Sequence, residues 1–185
     1  MAADLVSHGE IADVVIIRPT VHRDARGTFQ ETYRRSWFPL GREMVQGSRS
    51  DKVAGSLVGL HYHLHQADYW YVTHGNAQVV LYDFRQGSRT EGVIWSLLMG
   101  DDNPVGVFIP PGVAHGFAAL SDLTLTYLVD GYYNPDDELG LRWDDPLFRG
   151  VWQLDDPVVS ERDQTNPLVG EVPVQLRPRG RGRAS

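Results

Sequence analysis

The chain contains no cysteine, which excludes disulfides and thiolate chemistry. No apolar run approaches the roughly 20 residues a helix needs to cross a bilayer. The first residues, MAADLVSHGEIADV, lack the charged stretch and apolar core of a secretory signal, so a cytoplasmic address is expected. Positive charge is scarce: 17 Lys and Arg against 24 Asp and Glu give a net charge of −7. That balance argues against a general nucleic-acid binder. G-x-S-x-G and the phosphate-binding loop are also missing, so neither a serine-hydrolase elbow nor a nucleotide cradle of that type is expected.

The 185 residues, 42% hydrophobic and 22% charged, fit one soluble domain with a substantial core. The pattern is mostly strand. Val14–Ile17 is a short β-branched run ended by Pro19. Thr28–Tyr33, Ser56–His63 and Tyr69–Thr73 alternate with period two. Gly75 marks a hairpin turn, since glycine tolerates the positive φ such turns need. Ala77–Tyr82, Val93–Leu98, Val105–Ile109, Gly116–Leu120 and Leu123–Val129 continue the series. Turn signals about every 8–12 residues predict an all-β sandwich or barrel. Only short helices are expected, near Ser36–Phe38 and Pro146–Leu147. A single domain over residues 1–170 is expected, followed by a flexible basic tail over 171–185 with nothing to bury.

The densest chemistry lies in Gly59-Leu60-His61-Tyr62-His63-Leu64-His65-Gln66-Ala67-Asp68. His61 and His63, at i and i+2, share one face of a strand. Asp68 follows after four residues and Gly75 after six more. Pro110-Pro111-Gly112-Val113-Ala114-His115 adds another imidazole. His61, His63, Asp68 and His115 make a mixed N/O set that one divalent ion (Fe, Mn, Ni, Co, Cu or Zn) accepts. The spacing resembles the two metal motifs of the cupin superfamily, HxH-x4-E-x6-G and PxGxxH. The plain alternative is a polar barrel interior. His65 reads as a turn residue and His74 as a surface one.

A second resemblance spans nearly the whole chain. Asp24-Ala25-Arg26-Gly27-Thr28-Phe29-Gln30-Glu31 reads D-x-R-G-x-F-x-E. Val45-Gln46 and Ser48-Arg49-Ser50 precede Gly59-Leu60-His61-Tyr62. Asp83-Phe84-Arg85 with Ser88 reads D-x-R-x-x-S, and Ile109 to Phe117 reads I-P-x-G-x-A-H-G-F. Tyr132-Tyr133-Asn134-Pro135 with Glu138, Trp143 to Pro146, and Ser160 with Asp163 follow in order. These motifs resemble the dTDP-4-dehydrorhamnose 3,5-epimerase family. The resemblance implies a double-stranded β-helix (cupin or jelly-roll barrel) with short peripheral helices. It implies a homodimer in which N-terminal strands, such as Val14–Ile17, add to the neighbour's sheet. It also implies a reaction that needs no metal: a proton leaves a carbon next to a ketone and returns on the other face.

That chemistry needs a base, an acid opposite and stabilisation of the enolate. The resemblance implies His61 as base, Asp163 as the group orienting its ring and Tyr127 as acid. Arg26, Gln46, Tyr133, Glu138 and Arg162 are candidate substrate contacts. Three positions depart from the family pattern. Val58 stands where an arginine grips the nucleotide diphosphate. Asp68 stands where a lysine stabilises the enolate, and His63 replaces a glutamine. Three readings follow. One is an epimerase-like isomerase acting beside the carbonyl of a keto-deoxysugar, nucleotide-linked or a related small molecule. Another is a metal-dependent cupin isomerase, cyclase, lyase or oxygenase, in which His61 is a ligand and cannot be the free base. A non-catalytic sugar-binding relative is the third.

Overall fold

The computed structural model describes residues 4–38 and 42–180. The strands in chain order are β1 (Asp4–His8), β2 (Val15–Arg18), β3 (His22–Asp24), β4 (Gly27–Phe29) and β5 (Gln46–Lys52). Then come β6 (Ser56–Tyr62), β7 (Asp68–His74), β8 (Asn76–Asp83), β9 (Ile94–Gly100) and β10 (Gly106–Ile109). The last are β11 (Val113–Ala119), β12 (Leu123–Val129), β13 (Leu139–Gly140) and β14 (Val158–Val159), with one short helix, α1 (Glu161–Thr165). One sheet runs β1-β2-β10-β7-β12-β5 and the other β13-β6-β11-β8-β9, with β14 alongside β6 and β3–β4 a separate hairpin. This is the jelly-roll architecture expected from the sequence. No helix among the described residues is long and apolar enough to cross a membrane.

Period-two alternation sorts the core. In β7, Trp70 and Val72 point into the space between the sheets, while Tyr69 and Tyr71 pack outward against Trp37, Phe38 and Phe108. In β8, Val79 and Leu81 face inward, and Val80 and Tyr82 pack outside under Phe148 and Val172. Each such side chain stabilises the fold by about 1.5–3 kcal/mol through lost apolar exposure. Gly75 closes the β7–β8 hairpin at φ 75°, where an added Cβ would lie 2.1 Å from the Asp122 carbonyl oxygen.

The D-x-R-x-x-S motif is scaffold. Asp83, fully buried, accepts from Arg85, Ser88 and Thr90. Arg85 also donates to the Ala12 carbonyl and to Asp13, tying the N-terminal segment to the barrel. A buried charge pair holds only when its remaining donors and acceptors are satisfied in this way.

Several expectations need correction. The strand expected over Thr28–Tyr33 stops at Phe29. Beyond it, Gln30 and the Thr32 carbonyl bond instead to the Tyr71 and Tyr69 hydroxyls. The run Val14–Ile17, expected to reach a neighbouring copy, supplies β2 between β1 and β10 of its own chain. The strand β5 has no apolar residue to announce it, and it forms by pairing at the sheet's edge with β12. The two expected short helices are single 3-10 turns, Arg35–Trp37 and Pro146–Phe148. Within the expected basic tail, Gly180 and Gln86 exchange backbone bonds with the Gln86 and Pro178 carbonyls, and Arg177 lies over the Phe84 ring. Residues 181–185 lie outside the described residues.

Candidate active site

A cavity of about 490 Å³ opens between the two sheets, lined by His61, His63, Asp68, His115, Tyr127 and Asp163 among others. The local irregularity of β6 sets which side chains enter it. His61 pairs with His115, yet Val58 pairs with Phe117, so β6 carries one residue more than β11 over that step. A bulge of this kind shifts the facing of the strand by one residue. Val58 and His61 therefore both reach the cavity, while Leu60 and Tyr62 pack outward. Strict alternation would have separated Val58 from His61. Gly59 makes the bulge: its φ is 111°, and a Cβ there would lie 2.7 Å from Gly116 Cα and 2.8 Å from the His115 carbonyl oxygen.

The helix α1 delivers the partner of His61. Ser160 caps it by accepting from the Asp163 backbone N–H at 3.2 Å. Asp163, 3% exposed, meets His61 Nε2 at 2.6 Å through Oδ1, and its Oδ2 accepts from Gly59 N–H at 3.1 Å. Burial pushes the Asp163 carboxyl up, but bonding to His61, Gly59 and Ser160 outweighs it and holds the group below the usual carboxylate range. A carboxylate is therefore fixed against one ring nitrogen. The neutral ring donates Nε2–H to it and keeps a lone pair at Nδ1. Glu138 Oε1 lies 4.0 Å from that Nδ1, and Arg162 holds Glu138 by donating to its side chain and carbonyl.

Tyr127 enters from β12 in the other sheet, where it pairs with Trp70 and Ser48. His61 and Tyr127 thus occupy opposite walls of one cavity. The Tyr127 hydroxyl makes no hydrogen bond among the described residues. Gln46 and Tyr133 also line the cavity, and Gln46 accepts from the Tyr133 backbone N–H at 3.1 Å. Arg26 is not brought there. It lies on the exposed β3–β4 hairpin, paired with Asp24.

The four groups expected to share a metal divide in two. His63, Asp68 and His115 converge, with ligand atoms within 4.8 Å of one another, and all three are buried. His61 stands outside this cluster, engaged with Asp163. Burial pushes the His115 ring down, to about 4, with the Asp68 carboxylate acting in the opposite direction. His65 has its backbone N–H bonded to Asp137, as a turn residue should, and His74 is exposed.

Sequence reasoning missed three residues. Asp137 accepts from the backbone N–H groups of Leu64, His65 and Gln66, and its carbonyl accepts from His63. Its place inside the Y-Y-x-P-x-x-E motif was the available signal. Gln66 donates to both His63 and Asp68. Lys52, at the end of β5, lines the cavity without a hydrogen bond or salt bridge among the described residues. It is the only lysine in the chain, and nothing in its local sequence marks it.

Comparison with known proteins gives the family and the fold. A family model described as dTDP-4-dehydrorhamnose 3,5-epimerase matches residues 8–171. The spore coat polysaccharide biosynthesis protein SpsL of Bacillus subtilis is 41% identical over 138 residues, covering 72% of this chain and 91% of that protein. The dTDP-4-dehydrorhamnose 3,5-epimerase of Methanothermobacter thermautotrophicus is 37% identical over 171 residues, covering 88% and 92%. The crystal structure of the dTDP-6-deoxy-D-glucose-3,5-epimerase RmlC from Legionella pneumophila, in complex with dTDP-4-keto-L-rhamnose, superposes with a TM-score of 0.90. Its identity is 28%, and the match covers 98% of this chain and 100% of that one.

Proposed function

The chain belongs to the dTDP-4-dehydrorhamnose 3,5-epimerase family, and from that premise we propose that it epimerises a dTDP-linked 4-keto-6-deoxysugar next to the ketone. The observation that carries this reading is the 2.6 Å contact of His61 with Asp163 on the wall of the cavity that faces Tyr127. A ketone acidifies the neighbouring C–H bonds, and inversion requires a proton to leave one face and arrive on the other. His61 takes the proton at Nδ1. The imidazolium that forms is stabilised by Asp163 at 2.6 Å and by Glu138 at 4.0 Å. Tyr127, on the opposite wall, returns a proton to the other face.

Gln46, Tyr133, Glu138 and Arg162 are proposed to frame the sugar, since all four line the cavity. Two cationic side chains, Lys52 and Arg162, line it. Arg162 is committed to Glu138. Lys52 is therefore proposed to meet the diphosphate, in place of the arginine that Val58 replaces. The proposed assembly is a homodimer. Among the described residues neither β1 nor β5 has a neighbour on its outer side, and open edges are covered by strand addition between copies.

The test is incubation with a dTDP-linked 4-keto-6-deoxysugar and identification of the product by NMR. An epimer at a carbon beside the ketone is expected, with inhibition by added dTDP. Unchanged substrate at enzyme-level concentrations would overturn the reading.

A further inference from the structure

His63, Asp68 and His115 are left without a role in that chemistry, and they are among the most enclosed polar groups of the cavity, 7%, 4% and 4% exposed. Their hydrogen bonds define where their lone pairs point. His63 Nδ1 lies 2.7 Å from the Asp137 carbonyl oxygen, and His115 Nδ1 lies 2.9 Å from that of Val113. A carbonyl oxygen only accepts, so each neutral ring carries its proton at Nδ1 and a lone pair at Nε2. Both of these Nε2 atoms lie near one carboxylate. His63 Nε2 is 3.8 Å from Asp68 Oδ1, and His115 Nε2 is 3.8 Å from Asp68 Oδ2.

Three acceptors thus converge with no cation among them. The donors that reach Asp68 are neutral: Gln66 Nε2 at 2.9 Å and Trp70 Nε1 at 3.1 Å. Neither Lys nor Arg forms a salt bridge with it among the described residues. Buried charges are normally paired or coordinate a metal. Imidazoles that ligate metal usually donate the other ring N–H to a carbonyl or carboxylate, which fixes the tautomer. Both histidines already have that arrangement.

The spacing fits as well. Ligand atoms about 2.0–2.1 Å from a tetrahedral ion stand roughly 3.3 Å apart. The two 3.8 Å separations to Asp68 close to that value with about half an ångström of movement, and all three ligand atoms already lie within 4.8 Å of one another. Gln66 Nε2, 3.2 Å from His63 Nε2 and 2.9 Å from Asp68 Oδ1, bridges the pair where a cation would sit. Its flexible side chain can swing aside or turn its oxygen inward. Three protein ligands leave a coordination position open to the cavity.

We propose that His63, Asp68 and His115 bind one divalent transition-metal ion, and that this ion polarises the substrate ketone that His61 enolises. The catalytic half of this proposal rests on the epimerase reading. When the C–H bond breaks, the proton passes to His61. The bond's electron pair forms the C=C bond of the enolate, and the carbonyl π pair moves to oxygen, where the ion holds it. Protonation from Tyr127 reverses the flow, with no change of oxidation state. Two imidazoles and a carboxylate suit Mn, Fe, Co, Ni or Zn.

The experiment titrates the tag-free full chain, stripped by chelator and dialysed, with Co²⁺, followed by calorimetry and visible absorption. One ion per chain is expected, with ligand-field bands and a raised melting temperature. Asp68→Asn should weaken binding at least 100-fold, and His63→Gln gives the same reading if the first variant does not fold. His61→Asn should bind like the wild type, because His61 is not a ligand. No uptake by the wild type, or uptake undiminished in both Asp68→Asn and His63→Gln, overturns the site. Loss of at least tenfold in substrate C–H exchange on chelation, restored by Co²⁺, supports the catalytic half. Stoichiometric binding with unchanged exchange overturns that half and leaves the epimerase reading standing. Binding without any exchange under any metal condition overturns the epimerase reading and leaves the ion site standing.

Discussion

His61 Nε2 and Asp163 Oδ1 lie 2.6 Å apart, although 102 residues separate them in the chain. The contact joins a bulged strand to a one-turn helix, and the Ser160 cap fixes the helix side. Gly59, two residues before His61, donates to the other oxygen of the same carboxylate. The carboxylate is therefore held by a backbone N–H as well as by His61 before any substrate arrives.

Asp163→Asn keeps the shape and removes the charge that stabilises the His61 imidazolium. The expected loss in kcat is about 10²-fold or more, measured by steady-state epimerisation. Stability should change with it. The folded-state pKa of Asp163 is depressed, so its contribution is fully present above the unfolded value of about 3.9 and disappears as pH falls through the folded value. Urea melts across the acid range should show a shallower acid loss in Asp163→Asn than in the wild type.

Tyr127→Phe separates the two halves of the reaction. His61 should still remove and return a proton on its own face, so substrate protons continue to exchange with D₂O. Inversion should fall by about 10²-fold, the scale of one general acid. Comparing deuterium content with epimer yield by NMR reads both at once. Equal losses of exchange and inversion would place Tyr127 outside the acid role.

Lys52→Ala tests the diphosphate contact. A charge-assisted bond to phosphate contributes about 1.5–3 kcal/mol. KM should rise by roughly 10- to 100-fold with kcat nearly unchanged. The difference from wild type should shrink as salt is added.

Gly59→Ala tests the bulge. The new methyl would sit 2.7 Å from Gly116 Cα on a residue whose φ is 111°. Backbone strain and the clash together should destabilise the protein by about 2–4 kcal/mol in urea melts. Activity should fall in the protein that still folds, because the clash lies between the strands carrying His61 and His115.

The all-β class was legible because strands such as β7 alternate, and its jelly-roll form came from the motif resemblance. Trp70 enters the interior and Tyr69 and Tyr71 leave it, as period two requires. Strand β5 was not legible, because its pairing with β12 and not its composition makes it a strand. The pairing of His61 with Asp163 came from motif resemblance; a helix of five residues leaves almost no periodic trace. The HxH spacing correctly placed His61 and His63 on one cavity. It could not show that Asp163 engages the first imidazole while the second turns toward Asp68. That division depends on the α1 cap and on the Asp137 carbonyl, which long-range folding brings into position.

The most direct test of the account is solvent exchange in D₂O with a dTDP-linked 4-keto-6-deoxysugar, comparing wild type with His61→Asn. The wild type should place deuterium at a carbon beside the ketone during turnover, and His61→Asn should lose at least about 10³-fold of that rate. Undiminished exchange in His61→Asn, with the fold intact, would contradict His61 as the base.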